Sequence, residues 1–448
     1  MQKHNSSRIA SIKSYGRVVA SVSVVGCLLF LLLSASCGRK EAALTIAVNS
    51  DVEGEALRAA AREYAAKEGV NIEVKEYDYA ALLREEQNLA APNSKFDVIM
   101  LDDPWMPNLA GKNLLTNLDA LLEEEARTKN LNLQNDLNDF VPESLSLCRN
   151  PYPNGSLFAL PYVGNSQLYC YRKDLFDKYN LPAPQTWPDV LRAAQTLKDK
   201  QNSSDTNTGD KIYGYVMRGA QGNDVVTDFL PIFWAYGANM FDTEGHATVN
   251  SKEAKEALRF VLDLYQTAPE ECRNYNADEV NERLRDGTAA QSINWPAWML
   301  NYRDRGDWQK IPRVEFTHLP VYRNGGKAVI GNWLLAIPRR SPNTAAAFKF
   351  IRWLTNEEQM RASAKRGNPP TRQSIYGDGE IKKMYPTFEY LLASLKNSRP
   401  RERMPQWLEI EKVFGDHLNK AISKEETVDD ALDRANEEIT RIMASSGT

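Results

Sequence analysis

The sequence predicts an α/β fold, and three observations carry that expectation. Short apolar runs alternate with segments of 3.6-residue periodicity from residue 44 to residue 101. Later helical segments open on recognisable cap residues. The chain has 448 residues, 42% hydrophobic and 25% charged, a globular composition at a length that suits two or three domains.

The elements follow in order. Leu44 to Val48 is a compact apolar run with β-branched Thr45, Ile46 and Val48, which reads as a buried strand. Asn49-Ser50-Asp51 breaks it, and a helix begins near Gly54 with Leu57, Ala60, Ala61, Tyr64 and Ala65 on one face. Ile72 and Val74 alternate with polar residues as a second strand; Ala80 to Leu89 reads as a helix and Phe96 to Leu101 as a third strand. The order β-α-β-α-β predicts a mostly parallel sheet with helices on its faces. Downstream, Thr186 with Asp189 forms a capping box, Asn250 with Glu253 opens a helix, Ser341-Pro342 caps another, and Thr427 with Asp430 caps the last. Asn202 to Asp210 and Ser374 to Glu380 read as polar connections, and Gly325-Gly326-Lys327 as a turn.

The N-terminus reads as an export signal. Lys3, Arg8, Lys13 and Arg17 precede an apolar run from Val18 to Ser36, and Gly38-Arg39-Lys40-Glu41 follows. Cys37, after Ser34-Ala35-Ser36, resembles the cysteine of a bacterial lipobox, although Ser34 stands where that pattern usually has Leu. Cys27 also matches, but cleavage there would leave Leu28 to Leu33 exposed, so Cys37 is the preferred lipidation site. An uncleaved spanning helix is the alternative. Cys148, Cys170 and Cys272 remain, an odd number that argues against a disulfide framework. A Cys148–Cys170 bridge is conceivable; buried free thiols are the preferred reading.

Much chemistry is absent. Lys plus Arg total 55 against 59 Asp plus Glu, so no basic field exists to hold nucleic acid. His246, His318 and His417 are far apart and lack partners at ligand spacing, which excludes an ordinary zinc site, and no cofactor is implied. The nucleophile elbow, dinucleotide and P-loop signatures are missing. Asp102 and Asp103 are adjacent, and on an extended strand end their side chains point oppositely, so they do not form a glycosidase pair.

Several segments resemble the bacterial extracellular solute-binding proteins of family 1, the sugar-type receptors of ABC importers. They are Phe96 to Pro107, Ala159 to Asn165, Tyr171 to Phe176, Pro184 to Trp187, Ile293 to Trp298, Gly331 to Pro338 and Gly367 to Arg372, with Arg401, Pro405 and Trp407 beyond. No single segment is specific; their order over nearly the whole mature chain is. The resemblance implies a two-lobe fold of the periplasmic-binding-protein type, with discontinuous lobes joined by a hinge. It implies a signal over 1–36, a lipid-anchored tether over 37–42, lobe one over 43–163 and 321–370, and lobe two over 164–320 and 371–448. The expected role is that of a monomeric, non-enzymatic binder, exported and held on the membrane by its lipid, which passes a carbohydrate to permease subunits.

A sugar site needs aromatic faces for the C–H surfaces and fixed polar groups for the hydroxyls. Trp105, Trp295 and Trp333 each sit just after an apolar strand-like run, at the C-terminal strand ends where open α/β sheets place ligands. Trp234, on a helical segment, is a further candidate, whereas Trp187, Trp308, Trp353 and Trp407 are assigned to packing. Asp102 and Asp103 are candidate hydroxyl acceptors. Tyr162 and Asn165 straddle the expected crossover; Asn294, Gly331 and Asn332 flank the tryptophans, and Arg372 and Arg401 supply cations, Arg401 or Arg372 as a partner for Asp102. The rival expectations are a secreted carbohydrate-active lyase or hydrolase, and a binder for a peptide, polyamine or glycerol phosphate.

Overall fold

The computed structural model describes residues 44–203, 211–300 and 313–445. The N-terminal segment with Cys37, the 204–210 stretch and Trp308 lie outside them. Strand β1 (Leu44–Asn49) is buried along its whole length, and β2 (Ile72–Tyr77) flanks it as a half-exposed edge. The helix Val52–Glu68 connects them and ends at Gly69, whose φ of +66° is the left-handed conformation that glycine adopts without strain. The helix Tyr79–Gln87, capped by Asp78 through the Ala81 amide at 2.7 Å, leads to β3 (Val98–Asp102). The third strand thus starts and ends later than apolarity alone predicts, because Asp102 still pairs with its neighbour.

Two short strands, β4 (Arg149–Asn150) and β5 (Ser156–Leu157), form a ribbon before β6 (Ala159–Val163). Beyond it come β7 (Leu168–Arg172), β8 (Gln291–Asn294), β9 (Val314–Thr317) and β10 (Trp333–Ala336). They assemble into two principal sheets. The first has the order β2-β1-β3-β10-β6, with β1, β2 and β3 parallel and β10 antiparallel to both its neighbours. The second, β8-β7-β9, is antiparallel throughout. Each sheet is buried against its own helices, and the first is therefore assembled from segments more than 200 residues apart. That is the discontinuous two-lobe architecture the resemblance implies.

Where the chain passes between the sheets, several segments run side by side. Gly164 donates to Pro369 O at 2.9 Å, Gly331 donates to Asn165 O at 3.0 Å, and Thr371 Oγ1 donates to Pro161 O at 2.9 Å. Gly164 is required by this crossing: a Cβ there would lie 2.4 Å from Pro370 O. A third apolar cluster, including Phe140, Val141, Met360, Phe388 and Leu391, packs beside these segments.

Several local expectations change. The helix Lys252–Tyr265 is capped by Ser251, which accepts from the Ala254 amide at 3.2 Å, while the Asn250 amide reaches Asp433 at 2.9 Å. The helix Thr344–Leu354 starts after Ser341-Pro342 with Asn343 at its N-cap, and Ser341 Oγ donates to Asp97 at 2.6 Å while accepting from the Asn343 amide at 3.1 Å. Ser374 to Glu380 is not a plain connection. It contains parts of the helices Gln373–Tyr376 and Gly379–Met384, the latter capped by Asp378. The helix Trp187–Ser203 likewise runs into the segment read as a polar loop. The capping box at Thr186 and the cap at Thr427 form as expected. Cys148, Cys170 and Cys272 are buried free thiols. Among the described residues no helix is long and apolar enough to cross a membrane.

Candidate functional site

The strand ends that meet the crossing segments enclose a cavity of about 350 Å³. From the first sheet, Asp102 closes β3, whereas Trp333 opens β10 rather than following a strand as expected; β10 runs antiparallel to β3, so its first residue lies directly opposite Asp102. Asp102 accepts from the Tyr79 hydroxyl at 2.7 Å and from Arg401 at 3.1 Å. Burial opposes the charge of Arg401, but Asp102 and Asp103 outweigh it and hold the guanidinium protonated. The Trp333 ring stands edge-on to Tyr79 and Trp105, with centroids 6.1 and 6.0 Å away.

From the second sheet, Trp295 follows β8 and packs against Trp298 on the short helix Pro296–Leu300, their centroids 6.2 Å apart. The Arg218 guanidinium lies 6.0 and 5.8 Å from those two rings, a cation–π arrangement. Arg218 is itself fixed by Asp228, at 2.5 Å, and by Asp224 at 3.4 Å. Trp295 rests on the backbone of Gly331: a Cβ there would lie 2.6 Å from the ring.

Glu53, in the first turn of the helix after β1, joins the two sides. Its Oε1 accepts from Trp298 Nε1 at 3.0 Å and from the Asn165 side-chain amide at 3.4 Å. Burial, reinforced by Asp51 and more weakly by Asp102, pushes its carboxyl up to about 8. Burial also raises Glu411 to about 7, and Asp103 and Asp224 to about 6.

These shifts give stability a pH dependence of definite sign. Between about pH 5 and 8 the folded chain keeps protons on these carboxyls that the unfolded chain, with ordinary values of 4.5 or 3.8, has already released. Carboxylates held below their usual range, such as Asp136 and Asp174, are ionised in both states there and add no slope. The melting temperature is therefore expected to fall as pH rises from 5 to 8. A rise over that window in thermal melts followed by circular dichroism would contradict the raised values.

Of the residues singled out from sequence, Asp102, Asn165, Trp295, Gly331, Trp333 and Arg401 line the cavity. Seven do not. Trp105 is fully buried beneath Trp333, and Asp103 is turned inward, where it accepts from Arg403 at 2.9 Å and from the Asn332 amide at 2.9 Å. Asn332 itself is buried beside it. Tyr162 is buried in the core of the first sheet, which pushes its phenol up to about 12. Asn294 is spent on Asn281 at 2.9 Å and on the Trp295 amide at 2.7 Å. Trp234 is core of the second sheet, with Arg399 stacked 4.8 Å from its ring. Arg372 is buried far from the cavity, bonded to Thr355 O and Asp136 at 2.7 Å each and lying 4.2 Å over Phe140.

The lining also includes Glu53, Tyr79, Arg218, Asp224 and Trp298, which the sequence reading did not select. A signal for two of them was present. The strand-end rule applied to β1 leads to Asn49, Asp51 and Glu53, and Trp298 lies one helical turn past Trp295.

Comparison with known proteins agrees with this fold. Residues 49–361 match the family described as bacterial extracellular solute-binding protein. A curated relative from Deinococcus radiodurans, named a probable ABC transporter-binding protein, is 27% identical over 89% of this chain and 93% of its own length. The ribitol complex of an ABC transporter solute-binding protein from Agrobacterium radiobacter superposes with a TM-score of 0.80 and 25% identity. It covers 89% of this chain and 98% of the other. Maltose-bound MalE3 of T. maritima gives 0.78 and 26% identity, covering 89% and 99%.

Proposed function

The chain belongs to the bacterial extracellular solute-binding proteins, and from that premise we propose that it captures a sugar or polyol between its lobes and presents it to ABC permease subunits. One observation carries the carbohydrate reading. Trp333 from the first sheet and Trp295 from the second line the same cavity, among carboxylates and amides. Indole faces suit the C–H surfaces of a sugar, and fixed polar groups suit its hydroxyls. The relatives bound to ribitol and maltose support the same ligand class.

Capture proceeds by closure. Contacts made by both lobes exist only when the lobes are together, so a ligand that touches both shifts the population toward the closed form. The Glu53–Trp298 bond is one such bridging contact. We divide the lobes as 43–163 with 321–370, and 164–320 with 371–448; this division keeps each principal sheet within one lobe. The protein acts as a monomer tethered through a lipid on Cys37, and an intact mass that still includes Met1 to Ser36 would refute the tether.

The test is calorimetric titration with a panel of sugars and polyols that includes ribitol and maltose. At least one is expected to bind near ~1 µM, which corresponds to about −8 kcal/mol. Trp295→Ala is expected to weaken that ligand by ~1 kcal/mol or more; the ring is 6% exposed, so the variant also loses stability and binding is read at a temperature where circular dichroism shows it folded. A panel in which nothing binds defeats the carbohydrate reading, and a bound oligosaccharide that is cleaved identifies an enzyme instead.

A further inference from the structure

Among the buried, unpartnered atoms of the cavity lining, acceptors outnumber donors. Among the described residues, five buried atoms of its lining have no protein partner: Asn49 Oδ1, Glu53 Oε2, Asn165 Oδ1, Thr227 Oγ1 and Arg401 Nε. The two asparagine oxygens are acceptors only, Glu53 Oε2 becomes one when its carboxyl is ionised, the threonine hydroxyl can act either way, and Arg401 Nε is the single obligate donor. Leaving such groups unmade when buried is costly, so the ligand that fits is one rich in donors.

Charge points the same way. The charges of the two arginines of the lining are already paired, Arg218 with Asp228 and Asp224, Arg401 with Asp102 and Asp103. Neither bonds Glu53, which is only 2% exposed. Asp51, Asp78 and Asp278 add exposed carboxylates at the edge of the cavity. A phosphate or carboxylate ligand would bring further acceptors and the wrong sign of charge. A hydroxyl brings one donor, whereas an ammonium group brings three donors, no acceptor and a positive charge.

Resting on the carbohydrate reading above, we propose that the ligand is a sugar or polyol bearing a protonated amine, with Glu53 Oε2 as its counter-ion. An ammonium group there offsets the burial and the repulsion from Asp51 and Asp102 that hold the Glu53 proton on. The remaining hydroxyls pair with Asn49, Asn165 and Thr227. The same carboxylate keeps its other oxygen on Trp298, so recognition of the amine and closure of the lobes meet in one side chain.

Calorimetry on the mature protein at neutral pH tests this with matched probes: D-mannitol against 1-amino-1-deoxy-D-mannitol, and D-glucose against D-glucosamine, with gluconate as the anionic control. The aminated member of at least one pair is expected to bind about tenfold tighter or more, and gluconate weakest. Glu53→Gln keeps an oxygen for Trp298 and removes the charge, so the preference for the amine should shrink to about threefold or less. Equal affinities within each pair, or a preference undiminished in Glu53→Gln, overturns the proposal while leaving carbohydrate capture standing. If no probe and no member of the wider panel binds, both fall together.

Discussion

Arg401→Ala is expected to cost about 3–5 kcal/mol of folding stability, the range for removing one partner of a buried ion pair. Arg401 is 3% exposed and reaches Asp102 at 3.1 Å and Asp103 at 3.4 Å, with Glu411 close enough to raise its charge preference further. The substitution leaves Asp102 buried with only the Tyr79 hydroxyl, while Asp103 keeps Arg403 at 2.9 Å. The uncompensated charge sits mainly on Asp102. Adding Asp102→Asn to Arg401→Ala should therefore recover stability rather than lose more, a coupling that independent sites do not show. Urea unfolding of the two single variants and the double variant measures it. A loss below about 1 kcal/mol for Arg401→Ala would mean that water reaches this pair as at an exposed salt bridge.

That pair also marks the limit of what the sequence reveals. The first three strands and their helices are legible because each buries its own apolar face, so local periodicity suffices. Asp102 and Asp103 are indistinguishable by composition. The period of two places one toward the cavity and one away, but which is which depends on β10 pairing Trp333 with Asp102, a contact across 231 positions. The same register separates Trp333, which reaches the cavity, from Trp105, which the 3₁₀ turn Asp103–Trp105 tucks beneath it. Arg372 was misread for a related reason: its partners Asp136 and Asp139 lie over 230 residues upstream. Trp298 and Glu53 differ, since both sit where the strand-end and helical-turn rules point.

Gly331→Ala is expected to weaken ligand binding by about tenfold or more, roughly 1.4 kcal/mol, while leaving the fold intact. Gly331 is not among the glycines with positive φ, so alanine adds no backbone strain there. Its whole effect is steric and local. The new methyl would sit 2.6 and 2.9 Å from two carbons of the Trp295 ring, well inside contact distance, and the rigid indole has to swing away. Trp295 is 6% exposed and packs on Trp298, which holds Glu53. Moving the first ring thus disturbs both the stacking face and the bond that bridges the lobes. Titration calorimetry should show the loss in affinity, and tryptophan fluorescence a changed indole environment before any ligand is added. If affinity and emission both match the wild type, Trp295 does not form the wall that recognises ligand, and the aromatic half of the site has to be sought at Trp333 alone.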